Sequence, residues 1–248
     1  MVRNEPFIYY SVKSIYPFCD SILLYDTGSY DKYTQDDIYK LISEDYDHKI
    51  SFDIVDIDYD ETKWSVDTIK KIRTENAGKF GTGEVRKMMI DKTDTDFFMI
   101  VDGDEVHYEE TMTDIIRYLE NWDESKIAGF IPLTWHTKPD KVFNCYSPTG
   151  RLFKTDGVGM YTASPDERHT NKATGKNISL SDDISIELPV KPYAHFEHYL
   201  KPWRRKVTDS IDFHGELPEV MLEDMSFVER FENEQKRLVS AKVNRNSL

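Results

Sequence analysis

Three carboxylates stand within four residues, Asp102-Gly103-Asp104-Glu105, directly behind the apolar run Phe97-Phe98-Met99-Ile100-Val101. Such a run, preceded by Thr93-Asp94-Thr95-Asp96, reads as a strand buried on both faces. Unpaired charge is costly to bury, so three acids at its end ask for a partner. In an extended chain, residues two apart project to the same side, which lets Asp102 and Asp104 converge on one point. Gly103 puts no side chain between them and leaves the backbone open to a bulky anion. Two hard oxygen donors beyond the C-terminal end of a central strand suit a divalent cation that carries phosphates. A solvated acidic turn is the alternative.

The elements that must position these acids alternate between helix and strand. Ile8, Val12 and Ile15 have helical spacing within Phe7–Phe18, with Pro17 near the stop. Ser21–Tyr25 is a short apolar strand, and Asp26-Thr27-Gly28-Ser29 a turn. Thr34 is the expected N-cap of a helix through Ile42, with Asp36 and Asp37 in its first turn. Ile50–Ile57 reads as a further strand. The order predicts βαβ units, hence an α/β, Rossmann-like fold: a mostly parallel central sheet flanked by helices. Gly83–Ile90 is helical, with Met88, Met89 and Ile90 in the core. A helix from Thr111 or Thr113 to about Asn121 buries Ile115, Ile116 and Leu119. Ile127–Leu133 is a strand followed by Trp135-His136, and another begins at Val190. Glu219–Ala241 makes one or two C-terminal helices, and 244–248 fray.

With 248 residues, 39% hydrophobic and 13% aromatic, the chain can bury one sizeable core and is expected to form one domain, 1–248. A net charge of −14, from 46 acids against 32 bases, argues against nonspecific attraction to nucleic acid. Cys19 and Cys145 lack metal-site spacing, so neither a disulfide framework nor a zinc cluster is expected. No apolar run has the length of a membrane span and no signal peptide opens the chain, which predicts a cytoplasmic protein.

Val101-Asp102-Gly103-Asp104-Glu105 resembles the Asp-x-Asp-Glu element of GT-A glycosyltransferases of the family-2-like branch. Ile22-Leu23-Leu24-Tyr25-Asp26-Thr27-Gly28-Ser29-Tyr30-Asp31 is similar to that branch's strand-Asp-Thr-Gly-Ser turn. Arg3-Asn4-Glu5 resembles the Lys-Asn-Glu closing its first strand, and Gly150-Arg151-Leu152-Phe153-Lys154 a later strand. Family members carry a first strand ahead of Asn-Glu, where only Met1-Val2-Arg3 stand here. Either that strand is very short, or the coding start lies downstream of the usual one.

The resemblance implies a GT-A fold with a nucleotide-sugar half (1–105), an acceptor half (106–205) and a helical tail (206–248). It implies sugar transfer from a nucleotide-diphosphate donor to an acceptor hydroxyl, with inversion. Asn4, Glu5 and Asp26 would serve the nucleotide, although Asp26 can equally hold its own turn. Arg73 or Arg86 would face the diphosphate. Asp102 and Asp104 would serve the metal, completed by His195, with His198 the alternate on the other side of an extended strand. A carboxylate with an imidazole favours Mn2+ over Mg2+. Arg204 and Arg205, in Lys201–Lys206, would clamp the leaving diphosphate, bind an anionic acceptor or lie on the surface. Asp166 or Glu167 would be the base that deprotonates the acceptor, with Asp182 or Asp183 next, all in a long polar loop at 156–183. Trp135 suits a sugar ring or the core. Competing readings are a nucleotidyltransferase and a non-catalytic carbohydrate- or nucleotide-binding module. The acceptor is open, and the C-terminal helices could pair two copies.

Overall fold

A computed structural model describes residues 2, 4–29, 31–55, 82–143, 147–161, 168–200 and 210–245. Helix α1 (Ile8–Ile15) passes through a 3-10 turn at Tyr16–Phe18 to strand β1 (Ile22–Asp26), and α2 (Lys32–Ser43) leads to β2 (Ile50–Ile54). Helix α3 (Thr82–Lys92) precedes β3 (Phe97–Met99), β4 (Glu105–Val106) and α4 (Glu109–Glu120). Strands β5 (Ala128–Ile131), β6 (Leu133–Lys138), β7 (Lys141–Phe143) and β8 (Thr149–Lys154) follow. Then come β9 (Val158–Tyr161), β10 (Arg168–Asn171), β11 (Ser185–Glu187) and β12 (Tyr193–His195). The chain closes with α5 (Glu197–Leu200), β13 (Ser210–Asp212), α6 (Glu219–Glu223) and α7 (Ser226–Arg245).

The expected mostly parallel central sheet is replaced, among the described residues, by several small mixed sheets. Strands β1 and β2 pair in parallel, as the βαβ reading requires. A four-stranded sheet has the order β11-β5-β8-β3 and a five-stranded one β13-β7-β6-β12-β4. In these two sheets only β11–β5 and β12–β6 are parallel; the other five pairings are antiparallel. The reason lies in the connections. Short links such as that between β6 and β7 permit only antiparallel neighbours, since parallel ones need a long crossover. Pro132 splits the single strand expected over Ile127–Leu133 into β5 and β6, which sit in different sheets.

Helix α1 lies at the centre of the core. Phe7, Ile8, Tyr10, Val12 and Ile15 are all buried, together with Met112 and Ile115 of α4 and Phe227, Val228 and Phe231 of α7. Phe7 meets Phe196 and Phe231 edge-on at centroid distances of 5.2 and 6.0 Å. The helix expected to start at Thr34 is capped three residues earlier: Asp31 accepts the Thr34 amide at 2.8 Å, and Thr34 itself is buried. The polar stretch 156–183 is not one long loop, because β9 and β10 form an antiparallel hairpin within it. The strand expected from Val190 is short, and the chain turns into α5 at Glu197.

Candidate functional site

The apolar run before the acids hydrogen-bonds as β3, which among the described residues pairs with β8 alone and ends at Met99. Its residues are half-buried rather than covered on both faces, a correction to the central position expected for it. The chain then turns through Asp102–Glu105 into β4, where His195 of β12 stands opposite Glu105.

That pairing assembles the acids. The Asp104 carbonyl accepts the Phe196 amide at 2.8 Å, drawing the first residue past β12 against the acidic turn. Asp104 Oδ1 faces His195 Nε2 at 3.3 Å, both residues buried. Burial pushes the His195 imidazole down, but Asp104, through charge and hydrogen bonding, outweighs it with help from Glu105, and its pKa rises. Trp135 of β6, one strand over, packs at a tilt against His195 with centroids 4.2 Å apart.

Asp102 faces two cations. Arg86 of α3 donates to its Oδ1 at 2.7 Å, and Arg151 of β8 to its Oδ2 at 3.0 Å. Burial alone would raise this carboxyl, but the two guanidiniums hold it well below the usual carboxylate range. Arg151 also pairs with Glu105, and its Nε donates to the Tyr193 hydroxyl at 3.2 Å. Tyr193 in turn donates to Glu105 Oε1 at 3.1 Å, and the Asp102 amide to Glu105 Oε2 at 3.0 Å. Glu105 thus locks the acidic turn from beneath. Burial raises its pKa despite Arg151, while Arg151 is raised well above the usual guanidinium value because its two carboxylates outweigh its own burial.

Several expectations meet different surroundings. Gly103 does not open the backbone to a ligand: a Cβ there would stand 2.7 Å from Glu5 Cγ, so the glycine admits the buried Glu5 side chain. Asp26 accepts the amides of Gly28 and Ser29 at 3.1 and 2.8 Å, which is the turn-holding role. Asn4 has φ +50°; its amide donates to Ser29 and its side chain accepts from Asp31, tying the N-terminal segment to that turn. His198 is not on the opposite face of a strand; it lies on α5, and Trp135 reaches it too, at 4.9 Å. Trp135 is therefore partly occupied by two imidazoles. Asp182 accepts the Ser179 amide at 2.7 Å in a surface turn, and the Asp183 carbonyl accepts from Lys126. Arg73, Asp166, Glu167, Arg204 and Arg205 lie outside the described residues.

Arg151 and Tyr193 are the site residues that the chemistry of the sequence did not single out, and Glu105 figured there only as the third acid of the turn. A signal existed for Arg151: an arginine between apolar residues of a strand is seldom buried without carboxylate partners.

Among the described residues, no group of three or more histidines, cysteines or acids is gathered as a metal cage. The Asp104–His195 pair does fit a shared ion as two of its ligands. Donors about 2.1 Å from one cation in neighbouring positions lie about 3 Å apart, close to the 3.3 Å observed.

No family model matches the chain, and no curated protein matches it. Among solved structures it is similar to residues 1–349 of Staphylococcus aureus TarS, with a TM-score of 0.45 and 14% identity over 77% of this chain. The chain spans 57% of that structure's chain, and a likeness of this size decides neither fold family nor activity.

Proposed function

We propose that the protein is a metal-dependent glycosyltransferase that moves a sugar from a nucleotide-diphosphate donor to an acceptor hydroxyl, with inversion. The observation that supports this most is the junction of Asp104 with His195 beside an Asp102 already neutralised by Arg86 and Arg151. Asp104 and His195 are the residues that would hold Mn2+ or Mg2+, which supplies positive charge against the diphosphate as it leaves. Asp102, fixed between two guanidiniums, would accept from donor hydroxyls with the remaining capacity of its oxygens. Arg86, the more exposed of the two arginines, would share its charge with a phosphate. Asp166 or Glu167 remains the proposed base, since the Asp182 carboxylate is engaged in its own turn.

The test is turnover of a panel of UDP-, GDP-, CDP- and dTDP-sugars with and without Mn2+, on the wild type and Asp104→Asn. Metal-dependent release of free nucleoside diphosphate, lost in the variant, supports the proposal. Pyrophosphate release would identify a nucleotidyltransferase instead, and metal-dependent binding without turnover a binding module.

A further inference from the structure

Strand β12 is three residues long and is secured on one edge by its parallel pairing with β6. On the other edge it meets β4 at Ala194–Val106 and His195–Glu105, a ladder too short to hold its own register. The next main-chain bond, from the Phe196 amide to the Asp104 carbonyl, is therefore the one that closes β12 on the acidic turn. What keeps that amide in place is the Phe196 ring, which is fully buried. His136 of β6 stacks on it with centroids 4.7 Å apart, and Phe7, just ahead of α1, meets it edge-on at 5.2 Å. The Phe196 carbonyl also accepts the amides of Tyr199 and Leu200 at 3.0 and 2.9 Å, so α5 hangs from the same residue. With four residues, α5 is far below the length at which a helix holds by itself. Its place must come from tertiary contacts.

Those contacts lead to α7. Phe231 meets Phe7 edge-on at 6.0 Å and Tyr199 at 5.0 Å, and the Tyr199 hydroxyl donates to Glu232 at 3.2 Å. Phe7 and Tyr199 are themselves 6.1 Å apart, so three rings close on one another next to Phe196. Phe231 is delivered to them by a helix anchored elsewhere. One turn earlier, Phe227 stacks on Tyr9 at 4.5 Å and its amide donates to the Tyr10 hydroxyl at 3.3 Å. Arg230, the residue before Phe231, pairs with the buried Asp37 of α2. Edge-to-face rings have preferred geometries that a shapeless apolar contact lacks, so a fixed Phe231 fixes the rings it touches. We propose that Phe231 is a positioning residue for the Asp104–His195 pair, acting through Phe7 and Phe196 on the bond to the Asp104 carbonyl. Its bearing on cation binding rests on the function proposed above.

The test compares Phe231→Ala and the milder Phe231→Leu with Phe231→Tyr, which keeps the ring, and with Leu41→Ala, a truncation of buried core on α2. Amide hydrogen exchange is read at Phe196 and at Ile22, whose amide is bonded to the Lys49 carbonyl beside the β1–β2 pair. A general loss of stability speeds both amides together. In Phe231→Ala and Phe231→Leu, exchange at Phe196 is expected to rise at least about fivefold more than at Ile22, with no such excess in Phe231→Tyr or Leu41→Ala. Titration with Mn2+ alone, read by the EPR signal of the free ion, is expected to show at least about fivefold weaker binding in the first two variants and wild-type binding in the other two. Parallel acceleration of the two amides in both ring-less variants, or the same excess at Phe196 in Leu41→Ala, would overturn the proposal. Faster Phe196 exchange at unchanged Mn2+ affinity would also sink it, because the ring would then hold Phe196 and not the pair. A wild type that binds no Mn2+ would overturn the metal reading alone, and the exchange ratio then decides the positioning role by itself.

Discussion

Asp104 Oδ1 and His195 Nε2 lie 3.3 Å apart, although their residues come from opposite ends of a long stretch of chain. Backbone pairing makes the meeting: β12 runs antiparallel to β4, and the Phe196 amide closes on the Asp104 carbonyl. The turn that carries this carboxylate is thus held by main-chain bonds on one side and by the Glu105–Arg151–Tyr193 cluster on the other.

Because Asp104 and His195 share one point, their effects on cation affinity should not add. If the proposed function holds, Asp104→Asn and His195→Gln are each expected to weaken Mn2+-dependent binding of the nucleoside diphosphate selected by the donor panel by at least about tenfold, or 1.4 kcal/mol. The double variant should lose much less than the sum of the two. Calorimetry with that nucleotide, with and without Mn2+, reads the cycle; strict additivity would separate the two residues functionally.

Arg151→Met removes the cation that Glu105 and Asp102 share. Leaving a buried carboxylate without its partner costs about 3–5 kcal/mol, so the urea midpoint should fall sharply. Adding Glu105→Gln to that variant should restore part of the loss, because the neutral amide needs no counter-charge. A surface-like loss below about 1 kcal/mol would mean that the buried network contributes little.

Gly103→Ala brings a methyl group against Glu5 Cγ and Cβ, at 2.7 and 2.8 Å in the present geometry. Overpacking of this kind costs about 1–3 kcal/mol. Glu5→Gly in the same chain removes both atoms, and the double variant should be more stable than the two single changes predict. Denaturant unfolding of the four chains checks it.

Two buried histidines, His107 and His136, and the half-buried His169 make folding sensitive to acid. Burial pushes His107 down to about 3, His136 to about 4 and His169 to about 3. Their pKa values are depressed, so their contribution is fully present above the unfolded value of about 6.5 and is lost as pH falls toward 4. Within that window each can remove up to about 1.4 kcal/mol per pH unit. The raised carboxyls of Asp37 and Glu105 oppose the trend, and His195, whose pKa is raised, changes stability mainly above pH 6.5. Stability measured in urea should therefore fall between pH 6.5 and 4.5, and His136→Phe, which keeps a ring against Phe196, should flatten the slope.

Local pattern was enough for the helices and for the parallel pair of β1 and β2. Helical spacing at Ile8, Val12 and Ile15 and at Met221, Phe227 and Phe231 reports burial directly, because one face of a helix is set by adjacent turns. The acidic turn was legible too, whereas a histidine beside its second aspartate was expected only through the family resemblance, as a metal ligand. Sheet order was not, since which strands meet depends on contacts far apart in the chain that periodicity does not encode. Gly103 shows the same limit on a small scale: its lack of a side chain was visible, but not that Glu5 fills the space. The tertiary structure alone placed Arg151 beneath two carboxylates, because charge partners exist only once separate segments are brought together.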